Sequence, residues 1–413
     1  MMTVLESPER SFETIHVVGT NGKSSTARMI AAILERHGLR TGVYLSPHLI
    51  SYTERVRVGE RDLEESTFAA AISRAAWAAE RVNHTLAGED HVTQFELLTA
   101  AALWAMAERE VEVAVIEAGL GGRYDATSVI DSRVTVLTNV GLEHTRWLGP
   151  TVRDIAEEKL AVVAPNATLV LGEDMAAPAL VIAERIALEQ HASIVRPQPL
   201  SDTTELRVHG IFQRRNFALA RTAAESYLTA VGIELSEEAV AEAAARTEVP
   251  GRLQIVSEDP ITILDGAHNP AAVAALVQSL PELLAGRALA LVLGVLEDKD
   301  AAGMLAALLP LCERAWFTAP PSSRALSPAA LQSLARQLDF DAVACEPEPW
   351  RALMQAQDWA RERGDRAAVL ATGSVYLVGD LLSHLASADD RVPAQGSPAR
   401  TRPTHTPLRR PAR

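Results

Sequence analysis

The amino-acid pattern predicts an α/β protein of two units, each a mostly parallel sheet covered by helices. Three observations carry this. Short apolar, β-branched runs alternate with longer helical patterns along nearly the whole chain, as parallel strands and crossover helices do. The alternation breaks once, at residues 247–252 (TEVPGR), where Pro-Gly follows a helical stretch, and then restarts. A length of 413 residues, with 48% hydrophobic and 22% charged side chains, suits two domains with sizeable cores and excludes global disorder.

The elements follow in order. In the first unit, residues 1–247, the run 14–19 (TIHVVG) is a strand and 24–37 has helical spacing. Residues 42–45 read as a short strand, and 64–83 and 95–108 as Ala-rich helices. The runs 111–117 (VEVAVIE), 134–138 and 168–171 read as buried strands, and 236–246 as a helix before the break. In the second unit, residues 252–386, strands are predicted at 261–264, 289–293, 315–318, 341–345 and 367–371, with helices between. From residue 387 the composition changes to five prolines, six arginines and two acids, which predicts a disordered basic tail over 387–413.

Composition narrows the function. A net charge of −14 argues against nucleic acid as the main partner, since phosphate backbones need a basic surface. Two cysteines, Cys312 and Cys345, make neither a disulfide framework nor a four-thiolate metal site. No apolar run reaches membrane-spanning length and the N-terminus has no signal-like apolar stretch, so a cytoplasmic protein without a membrane partner is expected. Of 39 basic side chains only three are lysine: Lys23, Lys159 and Lys299. In so Arg-biased a chain, a remaining Lys points to a place where guanidinium does not serve.

The first strand runs into Gly19-Thr20-Asn21-Gly22-Lys23-Ser24-Ser25 and then a helix. Such a turn aims backbone N–H groups and the helix dipole at a phosphate, with Lys23 on the terminal phosphates and a Ser24 or Ser25 hydroxyl on Mg²⁺. The strict G-x-x-x-x-G-K-[ST] spacing is not met, since its first Gly would fall at Val17, but the shorter GTNGKS form reads the first unit as a P-loop ATPase domain, and the restarted strand–helix alternation reads the second as Rossmann-like. In parallel sheets ligands sit at the carboxyl ends of strands. Glu117, His144 and Ser46 all follow strand ends, as do Asp265 and His268 in LDGAHNP, Asp298 and Lys299 in GVLEDKD, and Thr372-Gly373-Ser374. Lys159 falls on a helix after the His144 loop and, unlike Arg, can lose its proton and react with CO₂.

Ten motifs occur in one order over residues 12 to about 385: GTNGKSS, SPHL, TERVRV, EAGLGGRYDATS, GLEHTRWLG, EEK, PGRLQIV, LDGAHNP, GVLEDKD and TGSVYLVG. In these the chain resembles the folylpolyglutamate synthase and dihydrofolate synthase family of the Mur ligase superfamily. The resemblance implies a Mur-ligase-type ATP-binding domain over 1–247 and a Mur-ligase-type C-terminal domain over 252–386. It implies ATP-dependent ligation of L-glutamate to a folate or to dihydropteroate through an acyl phosphate, by a monomeric enzyme. It assigns Asn21, Gly22, Lys23, Ser24, Ser25, Asn216, Arg252 and Asp265 to ATP. Ser46, Glu117, His144, Ser25 and a carbamylated Lys159 would hold Mg²⁺, two ions in all. Lys23, Lys159, His144 and His268 are the implied catalytic residues, with Asp298 and Lys299 near glutamate and the phosphates. Thr93, Tyr124, Asp125 and Ala126 match pterin or pteroate contacts.

The chain departs from the family pattern at Ser24 (usually Gly), Glu143 (usually Asp), Ser128 (usually Asn) and Leu160-Ala161 (usually Ala-Gly). Only 18 residues precede Gly19, so the dihydropteroate-contacting segment that the family carries there is expected to be missing, either because the gene start is placed too late or because part of the pterin site is lost. Another Mur-superfamily amino-acid ligase, or a non-catalytic nucleotide- or folate-binding protein, is the alternative reading.

Overall fold

A computed structural model describes residues 1–389, and the expected tail beyond residue 389 lies outside the described residues. The described strands form two sheets. The first contains β1 (Glu13–Val18), β2 (Thr41–Tyr44), β3 (Val56–Val58), β4 (Arg61–Asp62), β5 (Val113–Glu117), β6 (Val134–Leu137), β7 (Thr168–Leu171) and β8 (Ser193–Val195). Their spatial order is β4-β3-β2-β5-β1-β6-β7-β8. The strands from β2 to β8 in that order run parallel, and β3 and β4 turn back antiparallel at one edge.

The second sheet contains β9 (Gln254–Glu258), β10 (Ile261–Leu264), β11 (Ala288–Leu293), β12 (Cys312–Phe317), β13 (Val343–Cys345) and β14 (Ala367–Thr372). It is ordered β13-β12-β11-β14-β10-β9, parallel except for β9.

Both faces of each sheet are covered, which is why the central strands are apolar without alternation. Helices Lys23–Arg36, Ile211–Ala230 and Glu237–Arg246 bury one face of the first sheet with Ile15 and Val17. Glu65–Asn83 and Gln94–Glu108 cover part of the opposite face, and Val152–Leu160 with Ala177–Glu189 the rest. In the second sheet, Pro270–Leu284, Ala301–Leu308 and Pro328–Gln337 pack on one face, and Pro349–Arg361 and Val375–Asp389 on the other. Among the described residues no helix is long and apolar enough to cross a membrane.

The predicted strands and helices are found with ends shifted by a few residues. Four strands were not read from sequence: β3, β4, β8 and β9. Each is short or lies at a sheet edge, where half-exposed side chains blur the pattern. β12 begins three residues before its predicted start because exposed Glu313 and Arg314 mask it. The expected boundary at residue 387 is corrected. Helix Val375–Asp389 continues past it, held to the sheet by Leu377, Val378, Leu381 and Leu385 at helical spacing.

Candidate active site

The carboxyl ends of both sheets open onto one cleft of about 600 Å³. Its floor is the turn after β1. Gly22, at φ 83°, caps helix Lys23–Arg36, so the free N–H groups of the first helical turn face the cleft. The loop after β6 pins this turn. The Asn21 N–H donates to Asn139 Oδ1 at 2.9 Å, and Asn139 Nδ2 and Thr138 Oγ1 donate to the Asn21 carbonyl at 3.1 and 2.7 Å. Lys23 Nζ rests on the Thr20 carbonyl at 3.2 Å.

Glu117 closes β5 beside the turn and is only 2% exposed. Ser24 Oγ donates to one of its oxygens at 2.9 Å and the Ser46 N–H to the other at 3.1 Å. Burial raises the Glu117 pKa, opposed by the Lys23 charge. A buried carboxylate with hydroxyls and an imidazole nearby is a hard, oxygen-rich donor set. Among the described residues no cluster of three or more His, Cys, Asp or Glu is placed to hold a metal. Ser46, Ser25, Glu117 and His144 all line the cleft, and that set fits a Mg²⁺ ion that takes its remaining ligands from phosphate and water. The hydroxyl on Glu117 is that of Ser24, while Ser25 is buried at 2% exposure.

Lys159 is the most perturbed cation near the site. It is 5% exposed in the last turn of helix Val152–Leu160, and its Nζ donates to the Gly19 carbonyl at 2.8 Å. Burial, aided by the nearby Lys23 charge, lowers its pKa to about 7. A fraction of the amine is therefore neutral near physiological pH. The loop after Glu117 presses on this helix. A Cβ at Gly122 would stand 2.6 Å from the Lys159 carbonyl, so the close approach requires glycine.

The second unit supplies the opposite wall. Asn269 Nδ2 donates to Asn21 Oδ1 at 3.0 Å, joining the helix cap of Pro270–Leu284 to the phosphate turn. Glu143 Oε1 lies 3.1 Å from Lys299 Nζ, 3.5 Å from His268 Nε2 and 3.9 Å from His144 Nε2. Burial alone would raise the Glu143 pKa, but the His268 contact and the Lys299 charge hold it well below the usual carboxylate range. His144, at φ 51°, has its pKa lowered by burial, opposed by Glu143. Asp265 is buried and accepts from the Leu253 and Ala267 N–H groups at 2.9 and 2.8 Å. Asn216 Nδ2 donates to Gln213 Oε1 at 3.0 Å, and its Oδ1 crowds Gly22.

The cleft therefore gathers Asn21, Gly22, Lys23, Ser24, Ser25, Ser46, Glu117, His144, Asn216, Arg252, Asp265, His268, Asp298 and Lys299, all singled out from sequence. Five of the residues assigned to ATP, metal, catalysis or pteroate lie outside its lining, as do Thr372, Gly373 and Ser374. Lys159 sits just beneath the floor. Thr93 caps helix Gln94–Glu108 in a capping box with Glu96. Tyr124 is 88% exposed. Asp125 is buried, both its oxygens taken by Leu120 N–H and by Thr127, and Ala126 starts the short turn that follows. Sequence reasoning gave no role to Thr138, Asn139 or Asn269, which anchor the turn, and quoted Glu143 only as a departure from pattern. The signal was present for Asn269 in LDGAHNP and for Asn139 in the strand-end NVGLEH.

A P-loop unit facing a second α/β unit across one cleft defines a Mur-type ligase architecture. Residues 17–192 match the Mur ligase middle domain and residues 251–375 the Mur ligase glutamate ligase domain. The chain is 35% identical over 386 residues to the dihydrofolate synthase/folylpolyglutamate synthase of Escherichia coli, covering 89% of this chain and 85% of the relative. It is also similar to the solved Mycobacterium tuberculosis folylpolyglutamate synthase complexed with ADP, with a TM-score of 0.85, 31% identity, and 93% and 92% of the two chains covered. A bifunctional folylpolyglutamate synthase/dihydrofolate synthase from Yersinia pestis, complexed with AMPPNP and Mn ion, aligns with a TM-score of 0.80, 31% identity, and 93% and 92% covered. The chain belongs to the dihydrofolate synthase/folylpolyglutamate synthase family.

Proposed function

We propose that this protein is an ATP-dependent ligase that adds L-glutamate to folates, with 7,8-dihydropteroate as the candidate second acceptor, acting as a cytoplasmic monomer. The observation that carries the reading is the cleft itself. The phosphate turn of one unit faces Lys299 and His268 of the other, and Glu143 ties them together. The names of the relatives and the nucleotide complexes of the solved neighbours support it.

The chemistry follows from the residues. A folate carboxylate oxygen attacks the γ-phosphorus of ATP, the bond to the β,γ-bridging oxygen breaks, and ADP leaves. The acyl phosphate formed is attacked by the neutral amine of glutamate, the nitrogen gives up one proton to solvent, and the tetrahedral intermediate expels phosphate as the C–O bond breaks. Such steps depend mostly on positioning and charge neutralisation. Gly22 and the first helical N–H groups cradle the phosphates while Lys23 balances their charge. Asn216, Arg252 and Asp265 hold the nucleotide. His268 and Lys299 meet the glutamate and the transferred phosphoryl group. Closure of the two units excludes water that would hydrolyse the acyl phosphate.

Two Mg²⁺ ions fit this reading, held by Ser46, Glu117, His144 and Ser25 together with carbamylated Lys159. The ions supply charge neutralisation at the phosphates. The carbamate would form when the neutral Lys159 amine adds to CO₂ and releases one proton, turning an uncharged amine into an anionic oxygen ligand. The exposed side of the EAGLGGRYDATS loop, with Tyr124, is read as the pteroate wall beside Thr93, and Asp125 and Ala126 shape it.

The test is steady-state release of ADP and phosphate by purified protein with Mg²⁺ and ATP. Release that requires both L-glutamate and tetrahydrofolate, or both L-glutamate and dihydropteroate, is the expected result. Turnover of neither acceptor sinks the assignment. An ATPase unchanged in Lys23→Ala would instead favour a non-catalytic binding protein.

A further inference from the structure

His16 is an unusual residue for its place. It lies on β1, three residues before the phosphate turn, with no exposed surface. Its Nε2 is 2.9 Å from Thr127 Oγ1, and Thr127 Oγ1 is 2.6 Å from Asp125 Oδ1. A carboxylate only accepts, so the single hydroxyl proton of Thr127 goes to Asp125. The hydroxyl must then accept from the imidazole, which fixes the proton on Nε2 and leaves Nδ1 bare. Nδ1 is buried without a partner, and a bare acceptor is the cheaper orphan. Burial lowers the His16 pKa to about 3, so the ring stays neutral.

The far end of the relay organises the loop between Glu117 and Thr127. Asp125 Oδ1 also accepts the Thr127 N–H at 3.0 Å, and Oδ2 accepts the Leu120 N–H at 2.7 Å. The loop passes so close to the Phe95 ring at Gly119 and to the Lys159 backbone at Gly122 that a Cβ at either position would clash. A leucine would fill the His16 site without an orphaned nitrogen, so packing does not account for the imidazole.

We infer that His16 and Thr127 are positioning residues that lock the 118–127 loop through Asp125 and thereby preorganise the acceptor side of the cleft, independently of the nucleotide side. The inference rests on the reading of this loop as the pteroate wall.

The test uses the full chain with His16→Leu, His16→Gln and Thr127→Val. Hydrogen exchange at the Leu120 and Thr127 amides reads the lock directly. Folate KM and ADP Kd read its consequence. His16→Leu is expected to speed exchange over the loop and raise folate KM about tenfold while ADP Kd stays within about twofold. His16→Gln, whose amide N–H₂ reaches the same hydroxyl, restores most of the loss. His16→Leu added to Thr127→Val costs nothing further. Unchanged exchange and KM overturn the inference. So does equal loss of folate and ADP affinity with no rescue by Gln, the mark of a packing role. If His16→Leu does not fold, Thr127→Val alone decides. If wild-type protein turns over no folate, the functional reading fails, and the exchange rates still judge the lock.

Discussion

Lys159→Met removes the buried amine and keeps an apolar stem in its place. In the folded chain burial lowers the pKa from the ordinary 10.5 to about 7. Below pH 7 both the folded and unfolded chains hold the proton, and the full cost of burying it is felt. Between 7 and 10.5 the folded chain has released it while the unfolded chain still binds it. Stability therefore rises with pH by about 1.4 kcal/mol per unit, roughly 5 kcal/mol over the window. The Met variant lacks this dependence. Allowing about 1 kcal/mol for the lost hydrogen bond to Gly19, it is more stable than wild type at pH 7 by a few kcal/mol. Urea unfolding of both proteins at pH 7 and pH 10, in CO₂-free buffer, measures the gap, and other titrating groups cancel in the difference. The gap should shrink by roughly 4 kcal/mol on going to pH 10. Parallel pH dependences would refute the buried amine and remove the basis for carbamylation. The same variant should lose ligase activity, and ¹³C-bicarbonate should give a carbamate signal in wild type alone.

Three further outcomes are expected. Lys23→Ala should lower turnover by about 100-fold or more, because the phosphates lose their one compact counter-charge on the turn; single-turnover ADP formation checks this. Glu143→Gln leaves Lys299, at 13% side-chain exposure, facing a neutral amide, and should cost about 2 kcal/mol of stability. It should also raise KM for glutamate well above any change in ADP Kd, and Glu143→Asp should restore the charge but only part of the function because its reach is shorter. Gly122→Ala would put a Cβ 2.6 Å from the Lys159 carbonyl and should cost about 1–3 kcal/mol, measured by thermal unfolding, with activity falling more than ADP binding.

The parallel strands around the cleft were legible because each is a short apolar run fed by a helix and buried on both faces. β1 with its Gly-rich exit is the clearest case. The cleft residues were legible for a related reason: Glu117 closes its strand and His144, Asp265 and Lys299 follow strand ends, where a doubly covered sheet has its open edge. The antiparallel edges β3, β4 and β9 were not, since a few half-exposed residues carry little periodicity.

The sequence by itself determined the two α/β units, the phosphate turn and the family, because local periodicity and ordered motifs are properties of neighbouring residues. Only the tertiary structure decided which strand ends meet. Asn21 pairs with Asn269 across 248 positions, Glu143 with Lys299 across 156, and His16 with Thr127 across 111. No local pattern encodes such pairs. They follow from how the two sheets stack and close, and with them come the burial that shifts Lys159 and the contacts that hold Glu143 ionised.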